Sequence, residues 1–254
     1  MLNIFDSHSH YTDSAFDADR FELLSKFKQN GVNRCMVAAS DIPSAEAGLK
    51  LAESFPDLII TAVGVHPECP HPPADYLDTL RTLTTHPSVK AIGEIGLDYH
   101  YEDCEKEQQI RIFREQLVLA REQDLPVILH CRDAVGDMMP ILREFRGLRG
   151  VMHCFSGSPE TAREVLELGL YIGFTGVITF KNAKKPLAAL QAVPLDRLLL
   201  ETDCPYMAPV PYRGQRCDST MLTETAAVMA REKGVSTDEI CQITAENAAR
   251  LFDC

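Results

Sequence analysis

Short apolar runs recur along the whole chain, separated by stretches of helical spacing, and this alternation limits the fold more than any other feature. The runs lie at 4–10, 34–39, 58–65, 89–92, 127–130, 150–153, 170–174 and 198–201. Helices are expected at 18–30, closing at Gly31, and at 44–55, 75–85, 105–123 and 137–145. Ser158-Pro159 should start another, 186–193 a short one, and two more should follow Thr220 with a break near Gly234. Pro140 should be tolerated only near the first turn of its helix. Parallel strands need long crossovers, and helices supply them. Eight repeats without an internal linker predict a single-domain α/β fold over 1–254, a TIM (β/α)8 barrel. An open doubly wound sheet is the competing architecture.

The ends of these runs carry the chemistry. His8 and His10 are two apart on the first strand, so both imidazoles leave by one face. Glu94, His130, His153 and Asp203 each follow another run. In a closed barrel all six would meet at the carboxyl mouth. Nitrogen and carboxylate oxygen donors suit zinc, manganese, iron or magnesium. Six donors exceed a closed structural zinc site and leave room for water, so two divalent ions are expected, with Glu94 shared between them. Such a centre activates water for hydrolysis, and Asp203 could also accept that water's proton. Asp6 should share the face of His8, either as an acceptor fixing a neighbour or in the chemistry itself.

The remaining composition narrows the class. A net charge of −12 disfavours nonspecific nucleic-acid binding, so a phosphate substrate would have to be attracted locally. Nine cysteines without a Cys-x-x-Cys pattern read as reduced thiols. Period-two alternation should turn Cys131, Cys154 and Cys204 away from the donor face. No apolar run approaches the roughly 20 residues of a membrane span, and Met1-Leu2-Asn3 leads directly into the first strand, so a cytoplasmic protein without a membrane role is expected. No repeat or heptad pattern points to an obligate protein partner.

Five segments, taken in order, resemble the signatures of the TatD family of metal-dependent deoxyribonucleases. They are Asp6-Ser7-His8-Ser9-His10, Gly93-Glu94-Ile95-Gly96-Leu97-Asp98-Tyr99, Leu129-His130, His153-Cys154-Phe155-Ser156-Gly157 and Glu201-Thr202-Asp203-Cys204-Pro205. The resemblance implies an amidohydrolase-type TIM barrel, two divalent cations (zinc, magnesium or manganese) and phosphodiester hydrolysis, with trimming of single-stranded DNA from a 3′ end. It assigns His8, His10, Glu94 and Asp203 to one ion and Glu94, His130 and His153 to the other, with Asp203 and Glu94 as the catalytic carboxylates. Many amidohydrolases bridge their ions with a carboxylated lysine; an acid at 94 places this chain with the nuclease-like branch.

Substrate contacts are open to two readings each. Arg213 and Arg216, in a loop similar to the family's loop after strand eight, are phosphate clamps or a solvated basic pair. Lys181 reaches a phosphate or simply solvent, and Arg132, two beyond His130, is a further phosphate candidate. Tyr99 and Tyr101 stack on a base or pack at the rim, and His66 touches substrate or serves structure. The family's Asn-Glu-Pro is replaced by Cys217-Asp218-Ser219, which opens the loop conformation and substrate to question. The competing function is a metal-dependent deacylase or amidohydrolase acting on an aminoacyl ester or a small cyclic amide.

Overall fold

The structure, a computed structural model, describes residues 2–254. Its eight strands are β1 (Ile4–Ser9), β2 (Val32–Ala38), β3 (Ile59–Val63), β4 (Val89–Asp98), β5 (Val127–Arg132), β6 (Gly150–Met152), β7 (Tyr171–Phe174) and β8 (Leu198–Leu200). Each runs parallel to the next in chain order. The ring is completed beyond β8, where Ser9 bridges to Cys204, the Asp203 N–H donates to the His8 carbonyl at 3.0 Å and the His10 N–H to the Cys204 carbonyl at 2.9 Å. The connections carry α1 (Arg20–Ser25), α2 (Ile42–Ser54), α3 (Tyr76–Leu83), α4 (Lys106–Glu122), α5 (Val135–Glu144), α6 (Pro159–Glu167) and α7 (Lys184–Ala192). Two helices, α8 (Leu222–Lys233) and α9 (Thr237–Phe252), follow the last strand. This is the expected TIM barrel.

Alternation along the strands sorts two apolar layers. Met36, Ile60, Ala91, Ile128, Val151 and Leu199 form an inner cluster, while their neighbours Val37, Ile59, Ile92, Leu129, Met152 and Leu200 pack with the helices. The inner cluster is continuous with Ala245, Ala248, Leu251 and Phe252 of α9, so this helix seals the amino end, with Phe252 and Phe5 rings 6.2 Å apart. Burying such a side chain contributes roughly 1.5–3 kcal/mol. Ser236 and Glu239 form a reciprocal capping box that starts α9, and Ser158 caps α6 just ahead of Pro159, as expected.

Three local expectations are corrected. Residues 18–30 are not one helix: α1 ends at Ser25 and a 3-10 turn spans Lys28–Asn30, because Phe27 and Phe16 both pack on Tyr11 and pull the chain off the helical path. Gly31 still closes the segment with φ of 82°. The helix α5 starts at Val135, so Pro140 lies beyond its first turn; both Pro140 and Gly136 are exposed, and water can take the carbonyl that loses its donor. The strand β4 continues past Ile92 to Asp98. Gly96, at φ of 154°, allows this because a Cβ there would sit 1.9 Å from the His130 carbonyl oxygen.

Candidate metal centre

The strand ends deliver all six expected donors to one cluster. His8 Nε2 and His10 Nε2 stand 3.0 Å apart. Glu94 Oε2 lies 3.2 and 3.5 Å from them, and Asp203 Oδ1 3.6 and 3.3 Å. The His153 ring stacks on that of His8 with centroids 3.6 Å apart, and its Nε2 is 3.3 Å from Glu94 Oε1. His130 Nδ1 meets the same oxygen at 2.7 Å. One carboxylate therefore stands among His8, His10, His130 and His153, with Asp203 on the His10 side. His66, from the segment after β3, adds a fifth imidazole at 3.5 Å from Glu94 Oε1. Asp203, three residues beyond β8, adopts φ of 63°, a left-handed conformation uncommon outside glycine.

The charges compensate within the cluster. Burial works against ionising Glu94, yet the imidazoles of His153, His8 and His66 hold its carboxyl well below the ordinary range. Asp203 is depressed in the same way against burial, by the hydrogen bond to His10 and then by His153 and His8. Burial disfavours the charged form of His10, but Asp203 and Glu94 outweigh it and push the imidazole up to about 10; Asp98 and Glu94 do the same for His130, also to about 10. His8, the most enclosed, is pushed down by burial and by His153. Two facing Nε2 atoms can share only one proton, so nitrogen lone pairs and carboxylate oxygens outnumber the donors between them. This excess of inward-facing lone pairs suits divalent cations, which would replace the protons that otherwise hold the group together. Overlapping triads, His8–His10–Asp203, His8–Glu94–His153 and His66–Glu94–His130, each bring three donor atoms within 4.8 Å of one another.

Groups behind the donors fix them. Asp98 accepts from His130 Nε2 at 3.0 Å. Glu201, fully buried, accepts from the Cys154 N–H and from Ser7 Oγ, and its Oε1 stands 3.2 Å from His153 Nδ1. A Cβ on Gly173 would fall 2.2 Å from Glu201 Oε2, so the absent side chain makes room for this acid. Neither Asp98 nor Glu201 has a role in the sequence reading, although the same period of two that singles out His8 and His10 places Glu201 beside Asp203 and Asp98 in step with Glu94. Asp6 does not reach the cleft. It receives Ser219 Oγ at 2.6 Å, Thr202 Oγ1 at 2.7 Å and the N–H groups of Thr202 and His8 at 3.0 and 3.3 Å. Burial, opposed by these hydrogen bonds, pushes its carboxyl up to about 7. It ties the strand end that bears His8 to the one that bears Asp203. Ser219, in the stretch that departs from the family pattern, is one of its partners.

The donors open into a cleft of about 720 Å³. His10, His66, Glu94, His130, His153 and Asp203 line it, while His8 lies behind them with no exposed surface. Arg132 and Tyr101 line it too. The other expected substrate contacts do not. Tyr99 donates its hydroxyl to Asp137 and lies under Lys106, Arg213 stacks on Phe180, Arg216 is held by both oxygens of Asp19, and Lys181 is an exposed residue outside the lining. Tyr206 and Met207, just past Pro205, line the cleft without having been singled out in the sequence. Cys131 and Cys154 also reach the wall, contrary to the expected alternation; β6 ends at Met152, and Cys154 turns at φ of 45°. Cys204 is fully buried, as expected.

Comparison with known proteins agrees with this geometry. Residues 5–253 match the family model described as TatD related DNase. The chain is 40% identical over 98% of both lengths to an uncharacterized metal-dependent hydrolase, YabD, of Bacillus subtilis. It is 32% identical to a 3′-5′ ssDNA/RNA exonuclease TatD of Musicola paradisiaca, over 98% of this chain and 97% of the relative. The crystal structure of YJJV, a TatD homolog from Escherichia coli, superposes with a TM-score of 0.93 at 32% identity, covering 100% of this chain and 99% of the other. With all six donors converging at the mouth of a barrel matched over nearly its whole length, the chain belongs to the TatD family of metal-dependent hydrolases.

Proposed function

We propose that this hydrolase cleaves phosphodiester bonds at DNA ends, acting on single strands with 3′ to 5′ polarity. The observation that carries the reading is the Glu94 carboxylate shared among imidazoles from β1, β5 and the end of β6, with Asp203 beside it at the cleft surface. The nuclease-named relative supports the choice of bond. His8, His10, Glu94 and Asp203 would hold one divalent cation, and Glu94, His130 and His153 a second. Such ions supply Lewis acidity and lower the pKa of solvent water towards neutrality. The chain's own groups do the rest. Asp203, ionised and 14% exposed, accepts a proton at the cleft floor. Asp98 orients the His130 ring, Glu201 abuts that of His153, and Arg132 offers a guanidinium to the phosphate. His66 stands within reach of a substrate oxygen at the same floor.

The test is digestion of an end-labelled single-stranded oligonucleotide by protein stripped of metal and reloaded with zinc, magnesium or manganese in turn. One ion should restore stepwise shortening from the 3′ end, and Asp203→Asn loaded with that ion should not; equal rates would remove Asp203 from the chemistry. A second reading, hydrolysis of an aminoacyl ester or a small amide, is favoured by the six carboxylates that line the cleft against a single arginine. Turnover of such substrates with no product from any oligonucleotide, under the same ion, would establish it.

A further inference from the structure

The cleft sorts its charges unevenly. Asp13, Asp41, Glu68, Glu94, Asp98 and Asp203 face it, and Arg132 is the one lysine or arginine that does. Two divalent cations with Arg132 would supply five positive charges against six negative ones. Of the other expected phosphate contacts, Arg216 is engaged with Asp19 and Arg213 lies over the Phe180 ring with 4.4 Å to its centroid, while Lys181 is outside the cleft lining. A polynucleotide groove gains affinity from each phosphate it neutralises. Here every phosphate beyond the first would approach acids.

The walls supply what the charges do not. Tyr101, 54% exposed, follows β4, and Tyr206, 57% exposed, follows β8. These strands are four apart in a ring of eight, so the segments that carry the two tyrosines leave from opposite sides of the barrel, and both rings line the cleft. Arg132 lies 5.9 Å from the Tyr101 centroid, and Met207 extends the apolar surface beside Tyr206. A volume of 720 Å³ falls among clefts of roughly 300–1,000 Å³ that hold one compact ligand.

Resting on the phosphodiester reading above, we propose that the unit recognised is a terminal dinucleotide. One scissile phosphate sits at the donor cluster with Arg132 as its only cationic side-chain contact, and the flanking bases lie against Tyr101 and Tyr206. Nothing further along the strand is gripped.

The experiment measures KM and kcat with the full-length, metal-loaded protein on thymidine dinucleotide, pentamer and 20-mer, each from low to moderate salt. KM should agree across the three lengths within about threefold, and log(kcat/KM) should fall with log[salt] at a slope near −0.7, the value for about one phosphate contact on a single strand. Tyr206→Ala should raise KM about tenfold for all three lengths, and Tyr206→Phe should restore it. A KM that drops tenfold or more from dinucleotide to 20-mer, or a slope steeper than −3, overturns the proposal and leaves the nuclease reading standing. Failure to cleave any of the three overturns both.

Discussion

The two ends of the barrel are built from the same strands but hold opposite chemistry. At the amino end the inward positions are Phe5, Tyr171 and Leu199, closed by Leu251 and Phe252. At the carboxyl end the buried side chains are polar instead: Ser7, His8, Glu94, His153, Glu201 and Thr202. Apolar burial at one end contributes stability without directional demands. The other end confines acids and imidazoles that water would solvate better, and it can do so because the carboxylates stand against imidazole nitrogens and the ring is held shut from below. Fold stability and reactivity are therefore spatially separate, and substitutions should separate them too.

The largest expected effect is at the mouth. Asp203→Asn should lower kcat by about 10²–10⁴ with little loss of thermal stability. A parallel fall in both, followed by circular dichroism and rate, would mean that the acid serves the fold. Next comes the sealed end: Phe252→Ala should cost about 3–5 kcal/mol in denaturant unfolding, yet the protein that remains folded should bind metal at the wild-type stoichiometry. Loss of metal at that site would show the ends to be coupled. Gly173→Ala tests the boundary, since its Cβ would meet the Glu201 carboxylate. It should cost about 1–3 kcal/mol and weaken metal binding by titration calorimetry through His153, whereas unchanged affinity would remove Glu201 from the support of that ring. The smallest effect is expected of Ser219→Ala, which deletes a hydroxyl bonded to Asp6 and to the Tyr11 hydroxyl; about 1 kcal/mol of stability should go, with kcat falling less than threefold.

Much of this was legible along the chain because its signals are local. The period of two puts His8 and His10 on one face, and an apolar run followed by an acid or a histidine marks a strand end wherever it occurs. The extension of β4 to Asp98 was hidden because glycines at 93 and 96 interrupt the apolar run, while their function is to let neighbouring strands approach. Arg213, Arg216 and Lys181 share a charge with Arg132, and sequence offers no way to tell which cation faces the cleft. That depends on Asp19 and Phe180, which lie far from their arginines in the chain or across a loop. Tyr206 and Met207 likewise acquire their place only when the loop after β8 folds over the mouth.

The sequence by itself determined the βα alternation, the count of strands and the identity of the six donors, since each follows from spacing within a few residues. Only the tertiary structure decided that His66 joins the cluster, that Asp98 and Glu201 support the rings around Glu94, and that a lone arginine faces an acidic cleft. Those outcomes come from closing the ring, which brings residues nearly two hundred positions apart, such as His8 and Asp203, within hydrogen-bonding distance of each other's backbone.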